Sequence, residues 1–138
     1  GLFIVGEQGL LLKWDEPKQR FVALDSPYQG SFFGVIGKPG EVLVYGLRGH
    51  VFRSVDGGAS WTALSTGLQV SLTAATLDAE GHYRLLSQAG QLLVSTDDGA
   101  RLQPQPRKDI SPAAGAITAP NGGLVLVGSR GVRALDVK

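Results

Sequence analysis

The 138-residue chain contains no cysteine and no methionine. Without cysteine there is no disulfide framework, no thiolate nucleophile and no Cys-ligated zinc or iron–sulfur site. A start at Gly1, with no initiator methionine, reads as a processed or truncated beginning. Charge of one sign is also lacking, since 13 basic side chains stand against 12 acidic ones. That balance argues against a dedicated nucleic-acid binder, which carries a basic patch or stripe. No apolar run approaches the ~20 residues of a membrane helix. No stretch shows a 3.6-residue apolar period either, so helices are not expected.

Glycine is what the chain has in excess. Its 20 glycines are about twice the usual ~7% share. They are dispersed beside runs such as Val42-Leu43-Val44-Tyr45 and Leu124-Val125-Leu126-Val127. That is the punctuation of many short strands and tight turns, and the chain reads as all-β.

Four segments align on one glycine: Val5 to Gly9, Tyr45 to Gly49, Leu86 to Gly90 and Val127 to Gly131. The closing glycines at 9, 49, 90 and 131 are 40, 41 and 41 residues apart. Each segment reads strand, G-x-x-G (once S-x-x-G), strand, which is a hairpin with glycine where positive φ is cheap. The match runs on past the hairpin. The second copy carries Ser54-Val55-Asp56-Gly57-Gly58-Ala59-Ser60-Trp61, and the third a worn version from Ser95 through Asp97 and Gly99 to Leu102. In the first copy only Phe21 survives, at the position of Trp61.

A period of ~40 residues with four strands per repeat is the signature of a β-propeller blade. With strands labelled a to d from the centre outward, residues 1–24 supply b, c and d. Residues 31–64 and 70–105 supply a to d, and 113–137 supply a, b and c. The expected architecture is a partial propeller of about three and a half blades, in pieces 1–27, 28–67, 68–109 and 110–138. The two end pieces cannot merge, because a-b-c with b-c-d makes six strands. A single partial domain, the C-terminal part of a longer propeller, is therefore expected, with further blades from the same or another chain. A compact open β-sandwich is the alternative.

The segment Ser54 to Trp61 resembles the Asp box, S-x-D-x-G-x-S/T-W, of BNR-repeat propellers. The longer run from Val44 to Trp61 is similar to the photosystem II stability/assembly-factor family and its bacterial relatives. The hairpins Gly46-Leu47-Arg48-Gly49 and Gly128-Ser129-Arg130-Gly131 add to this likeness. The resemblance implies an exported propeller, periplasmic or extracellular, without catalytic activity or cofactor. It also implies a protein partner, such as a membrane-protein complex being assembled.

Residue by residue, the box reads as structural. Asp56 in a tight turn accepts backbone N–H groups, Ser54 bonds locally, and Gly57 and Gly58 allow left-handed backbone values. Trp61 is expected to pack between blades with its N–H partnered. Calcium at Asp56, or at Asp97 and Asp98, is the competing role, but six to eight oxygens are not in view. A sialidase-like glycoside hydrolase is the alternative function. That chemistry needs a tyrosine nucleophile or paired carboxyls, with arginines on a carboxylate. Tyr28, Tyr45 and Tyr83 stand in no evident Glu or Arg constellation along the sequence. His50 and His82 have no second ligand at metal spacing, so no metal site is expected.

Because strands alternate in direction, all four b–c hairpins should share one face. Their tips include Gln8, Arg48, Gln88 and Arg130. Loops on a rigid scaffold commonly carry function, and arginine anchors interfaces. The expected partner-binding residues are Arg48 and Arg130, with Arg53, Gln8 and Gln88 beside them.

Overall fold

The computed structural model describes residues 1–96, 99–105, 115–118, 124–128 and 131–135. Among these, fourteen strands form four antiparallel sheets. The first sheet holds β1 (Phe3–Val5), β2 (Leu11–Asp15) and β3 (Arg20–Ala23). The second holds β4 (Phe32–Lys38), β5 (Glu41–Gly46), β6 (Val51–Ser54) and β7 (Thr62–Leu64). The third holds β8 (Leu72–Leu77), β9 (Tyr83–Ser87), β10 (Leu92–Ser95) and β11 (Leu102–Gln105). The fourth holds β12 (Gly115–Thr118), β13 (Leu124–Gly128) and β14 (Gly131–Leu135).

In every sheet the strands lie in chain order, each paired with the next. β4 packs beside β8, and β8 beside β12, so the first strands of neighbouring sheets run along a common centre. This is the layout of propeller blades, and the outcome is a partial propeller as the repeat spacing predicts. β1 corresponds to the second strand of a blade, and it stands next to β4.

The core lies between sheets rather than within one. On one face of the second blade, Val44, Phe52 and the partly buried Trp61 meet Val5, Leu11 and Leu24 of the first. On its other face, Leu43, Tyr45 and Val51 meet Leu72, Tyr83 and Leu85 of the third. Alternation along each strand creates these two faces. Each fully buried leucine contributes about 1.5–3 kcal/mol through burial.

β4 and β8 carry a register shift at the same repeat position, between Phe32 and Gly34 and between Leu72 and Ala74. A Cβ on Gly34 would lie 2.1 Å from the Tyr45 hydroxyl, so glycine lets that ring cross the strand. Pro104 sits in β11, the outermost strand, opposite Leu93. Proline is tolerated there because an edge strand needs no donor on its outer side.

Neighbouring blades are also clipped by cations. Lys13 Nζ on β2 donates to the Gly57 carbonyl of the next blade at 2.8 Å. Arg53 on β6, one repeat later, lies against Gly99. Lys38 Nζ on β4 donates to the Gly81 carbonyl at 2.8 Å.

Candidate functional site

The β1–β2, β5–β6 and β9–β10 hairpins lie at the end where the inner strands begin. Gly6 O accepts the Phe32 N–H at 3.0 Å, Ser31 O accepts that of Leu47 at 3.0 Å, and Ser71 O accepts that of Gln88 at 2.8 Å. The loop tips therefore stand over the starts of β4 and β8.

The first two hairpins share one geometry. The His50 N–H donates to Leu47 O at 3.2 Å, and the Leu10 N–H to Glu7 O at 3.1 Å. Two consecutive residues then take left-handed values, Arg48 (φ 56°) with Gly49 (φ 78°), and Gln8 (φ 57°) with Gly9 (φ 76°). That is the type I′ pattern, whose twist matches antiparallel strands. The glycine at the closing position is expected from sequence, but the left-handed Arg48 and Gln8 are not. In the third hairpin Gly90 N–H donates to Ser87 O at 3.0 Å, and Gly90 alone is left-handed. There the Ser87 hydroxyl accepts the N–H groups of Ala89 and Gln91.

Arg48, Gln8 and Gln88 are all exposed at these tips. Arg130 lies outside the described residues, between β13 and β14. Two residues after Arg48, the His50 ring stacks on Tyr28 at 4.1 Å between centroids. Phe52 lies parallel to His50 at 6.0 Å. The tip is held rigidly from below, because the Thr66 hydroxyl donates to the Gly49 carbonyl at 2.9 Å. The result is an exposed cation on a fixed turn, two residues in sequence from a stacked His50–Tyr28 pair.

Arg53 is placed differently. Its guanidinium donates from Nε to Glu41 Oε1 at 3.1 Å and from Nη2 to Oε2 at 3.4 Å. It is committed to this largely buried ion pair, away from the hairpin tips, and serves the joint between blades. Tyr83 corrects the reading that no acidic or basic constellation attends a tyrosine, because Glu41 and Arg53 both act on it. Burial first, and the Glu41 carboxylate second, push its ionisation well above the usual phenol value. The ring is 0% exposed, so this grouping is packed between blades with no opening to substrate. Tyr45 is likewise buried, and burial raises its ionisation too.

At the opposite end of the blades, the Ser54–Trp61 turn forms a closed hydrogen-bond set. The Ser54 hydroxyl donates to Asp56 Oδ1 at 2.8 Å and accepts the Gly58 N–H at 2.9 Å. Asp56 Oδ1 also accepts the Ser60 N–H at 2.9 Å, and Oδ2 accepts the Ser60 hydroxyl. The Ser60 hydroxyl and N–H, followed by Ser54, pull the Asp56 carboxyl down to about 2. Gly57 and Gly58 are both left-handed, at φ 74° and 93°. Trp61 packs in the apolar joint, but its indole N–H is buried without a partner among the described residues. Leu24 and Phe3 of the first blade lie beside Gly58 in the same joint.

The third copy of this turn is described at Ser95, Thr96 and Gly99. Ser95 is buried, and its hydroxyl accepts the Tyr83 N–H at 2.8 Å. Gly99 is left-handed, and its N–H donates to Thr96 O at 2.9 Å. Asp97 and Asp98 lie outside the described residues. In the first copy Trp14, at the position of Ser54, packs edge-on against Phe21 at 5.1 Å.

Asp78, Glu80 and His82 come together in the β8–β9 turn, a grouping the linear spacing did not reveal. Asp78 Oδ1 accepts the N–H groups of Glu80 and His82 at 3.0 and 2.8 Å. Its Oδ2 lies 3.5 Å from His82 Nδ1 and 3.7 Å from Arg84 Nη2. The carboxylate is engaged in holding the turn.

No protein-family model and no curated protein matches the chain. Solved structures do. One is YCF48 bound to a D1 peptide, with TM-score 0.67 and 19% identity, covering 97% of this chain and 45% of that one. Another is virginiamycin B lyase from Staphylococcus aureus, with TM-score 0.73 and 10% identity, covering 98% of this chain and 54% of that one. The chain spans about half the length of these structures. At such identities the likeness establishes the fold, and the fold is a β-propeller.

Proposed function

We propose that the chain is a non-catalytic propeller scaffold that binds an extended or acidic segment of a partner protein on its hairpin end. The observation that carries this is Arg48, exposed and held left-handed at the tip of a braced turn. Guanidinium groups fork carboxylates bidentately, and aromatic rings beside them add anchoring surface. Arg130 occupies the same repeat position two blades on and is the second contact. The structural likeness to YCF48, solved with a D1 peptide, supports a peptide or protein partner over a small molecule.

The finer reading follows the resemblance of the repeats. The Ser54–Trp61 turn is an Asp box used as a structural brace. The protein is an exported assembly or stability factor for a membrane-protein complex. The double variant Arg48→Glu with Arg130→Glu should lose partner capture in a pull-down while keeping its circular dichroism and melting curve. Unchanged capture would remove the hairpin end as the binding face.

A further inference from the structure

The hairpin tips do not stand alone at their end of the blades. Beside each of the first two comes the loop that leads into the next inner strand. A Cβ on Gly9 would collide with the Tyr28 carbonyl oxygen, and one on Gly49 would lie 2.5 Å from that of Leu68. Tyr28 and Leu68 hold the same repeat position, 40 residues apart. Each is followed by a glutamine, Gln29 and Gln69, and both glutamines are exposed. The loops are braced. The Ser26 hydroxyl donates to Tyr28 O at 2.8 Å. The Thr66 hydroxyl, one repeat later, donates to Gly49 O at 2.9 Å and accepts the Leu68 N–H at 3.2 Å.

Each joint between blades therefore presents a pair of side chains at this end. The first joint presents Gln8 from the hairpin and Gln29 from the loop, and the second presents Arg48 and Gln69. Gln88, exposed at the third tip, extends the series. Four of the chain's eight glutamines are thus gathered at one end of the blades. Gln91 differs from them, since its Oε1 accepts the Ser87 hydroxyl at 3.0 Å within its own hairpin. Glu7 is exposed beside Gln8. A carboxylate is therefore repelled from the first joint and drawn to Arg48 at the second.

A carboxamide carries an acceptor oxygen and two N–H donors. An extended main chain offers C=O and N–H groups by turns, and bonds to them hold a segment whatever its side chains are. We propose that Gln29 and Gln69, with Gln8, bind the main chain of the partner's extended segment, while Arg48 takes the one acidic side chain that sets its register. This rests on the hairpin-end reading above and adds the chemistry of the occupant. Uncharged residues lie across Gln8 and Gln29, and a carboxylate follows at the next joint. A neutral sugar chain also bonds carboxamides, but it supplies no carboxylate for the Arg48 guanidinium to fork.

The test uses the whole chain and an array of short immobilised peptides of Gly, Ala, Ser and Val, each carrying one Glu-Asp pair. The tightest of these peptides should bind the double variant Gln29→Ala with Gln69→Ala about tenfold more weakly in fluorescence anisotropy. Methylating the peptide's main-chain nitrogens at alternate residues should weaken its binding to the unaltered chain by a similar factor. The same methylation should add little to the loss in the double variant, because the two changes remove the same bonds. Gln103→Ala, on the outermost strand β11, should bind as the unaltered chain does. Full affinity in the double variant, with binding abolished by Arg48→Glu, overturns the role of the glutamines and leaves the hairpin-end reading standing. Binding that also survives Arg48→Glu, or no binding to any peptide of the array, overturns both. Binding to neutral oligosaccharides in place of the peptides, lost in the double variant, overturns the peptide occupant.

Discussion

At the scale of single residues, Asp56 shows what a turn aspartate does here. It accepts from a hydroxyl on each side and from a backbone N–H, and these bonds favour its charged form. Its carboxyl is lowered from 3.8 to about 2 in the folded chain. A depressed carboxyl contributes stability above its unfolded value and loses it as the folded group is protonated. Acid unfolding should therefore show a loss of stability between about pH 4 and pH 2 that Asp56→Asn removes. Urea titrations of both forms at pH 5 and at pH 2.5 measure it. If both forms lose equal stability over that range, the turn is held by other groups. Trp61 shows the limit of reading one residue at a time. Its position in the repeat is legible, and an aromatic there fills the joint between blades. Its N–H is buried without a partner among the described residues, and no local spacing encodes that.

Among elements, the hairpins show which part of a turn is written in sequence. G-x-x-G marks a hairpin because the closing glycine must be left-handed. It also leaves room, since a Cβ on Gly49 would lie 2.5 Å from the Leu68 carbonyl oxygen. Gly49→Ala should destabilise by more than about 1 kcal/mol in urea unfolding, from both strain and crowding. Arg48→Gly, at a left-handed site, should leave stability level or raise it by up to about 1 kcal/mol. The opposite order of these two effects would mean that the turn is not of the I′ type. The S-x-x-G copy looks like the same element, yet Ser87 changes its wiring by capturing two N–H groups. One hydroxyl in place of glycine is enough, because it offers the backbone a nearby acceptor. Strand order was legible for a related reason, namely that the 40- and 41-residue spacing repeats through every blade. Arg53 was not, because Glu41 is a neighbour across strands and only the register brings the two together.

For the whole molecule, the layering of cores between blades sets where stability lies. β9 is buried along its whole length, with the third blade's neighbours on both sides. Among the described residues β1 pairs with β2 alone, and its Leu2 and Ile4 neighbourhood is exposed. Stack-like proteins distribute stability through nearest-neighbour interfaces. Native-state hydrogen exchange should accordingly find the amides of β5 and β9 slowest and those of β1 among the fastest. Uniform protection across the blades would mean that the arc behaves as one closed unit. The cation clips divide the molecule in a way the sheets do not. Lys13 belongs to one blade, but the carbonyl it holds belongs to the turn of the next, and Arg53, one repeat later, lies beside Gly99 of the following turn. The clip from Lys13 to Gly57 spans 44 residues, longer than the 40- or 41-residue repeat. A recombination joint placed between the first two sheets, or inside the second sheet after its second strand, therefore parts Lys13 from the turn it holds.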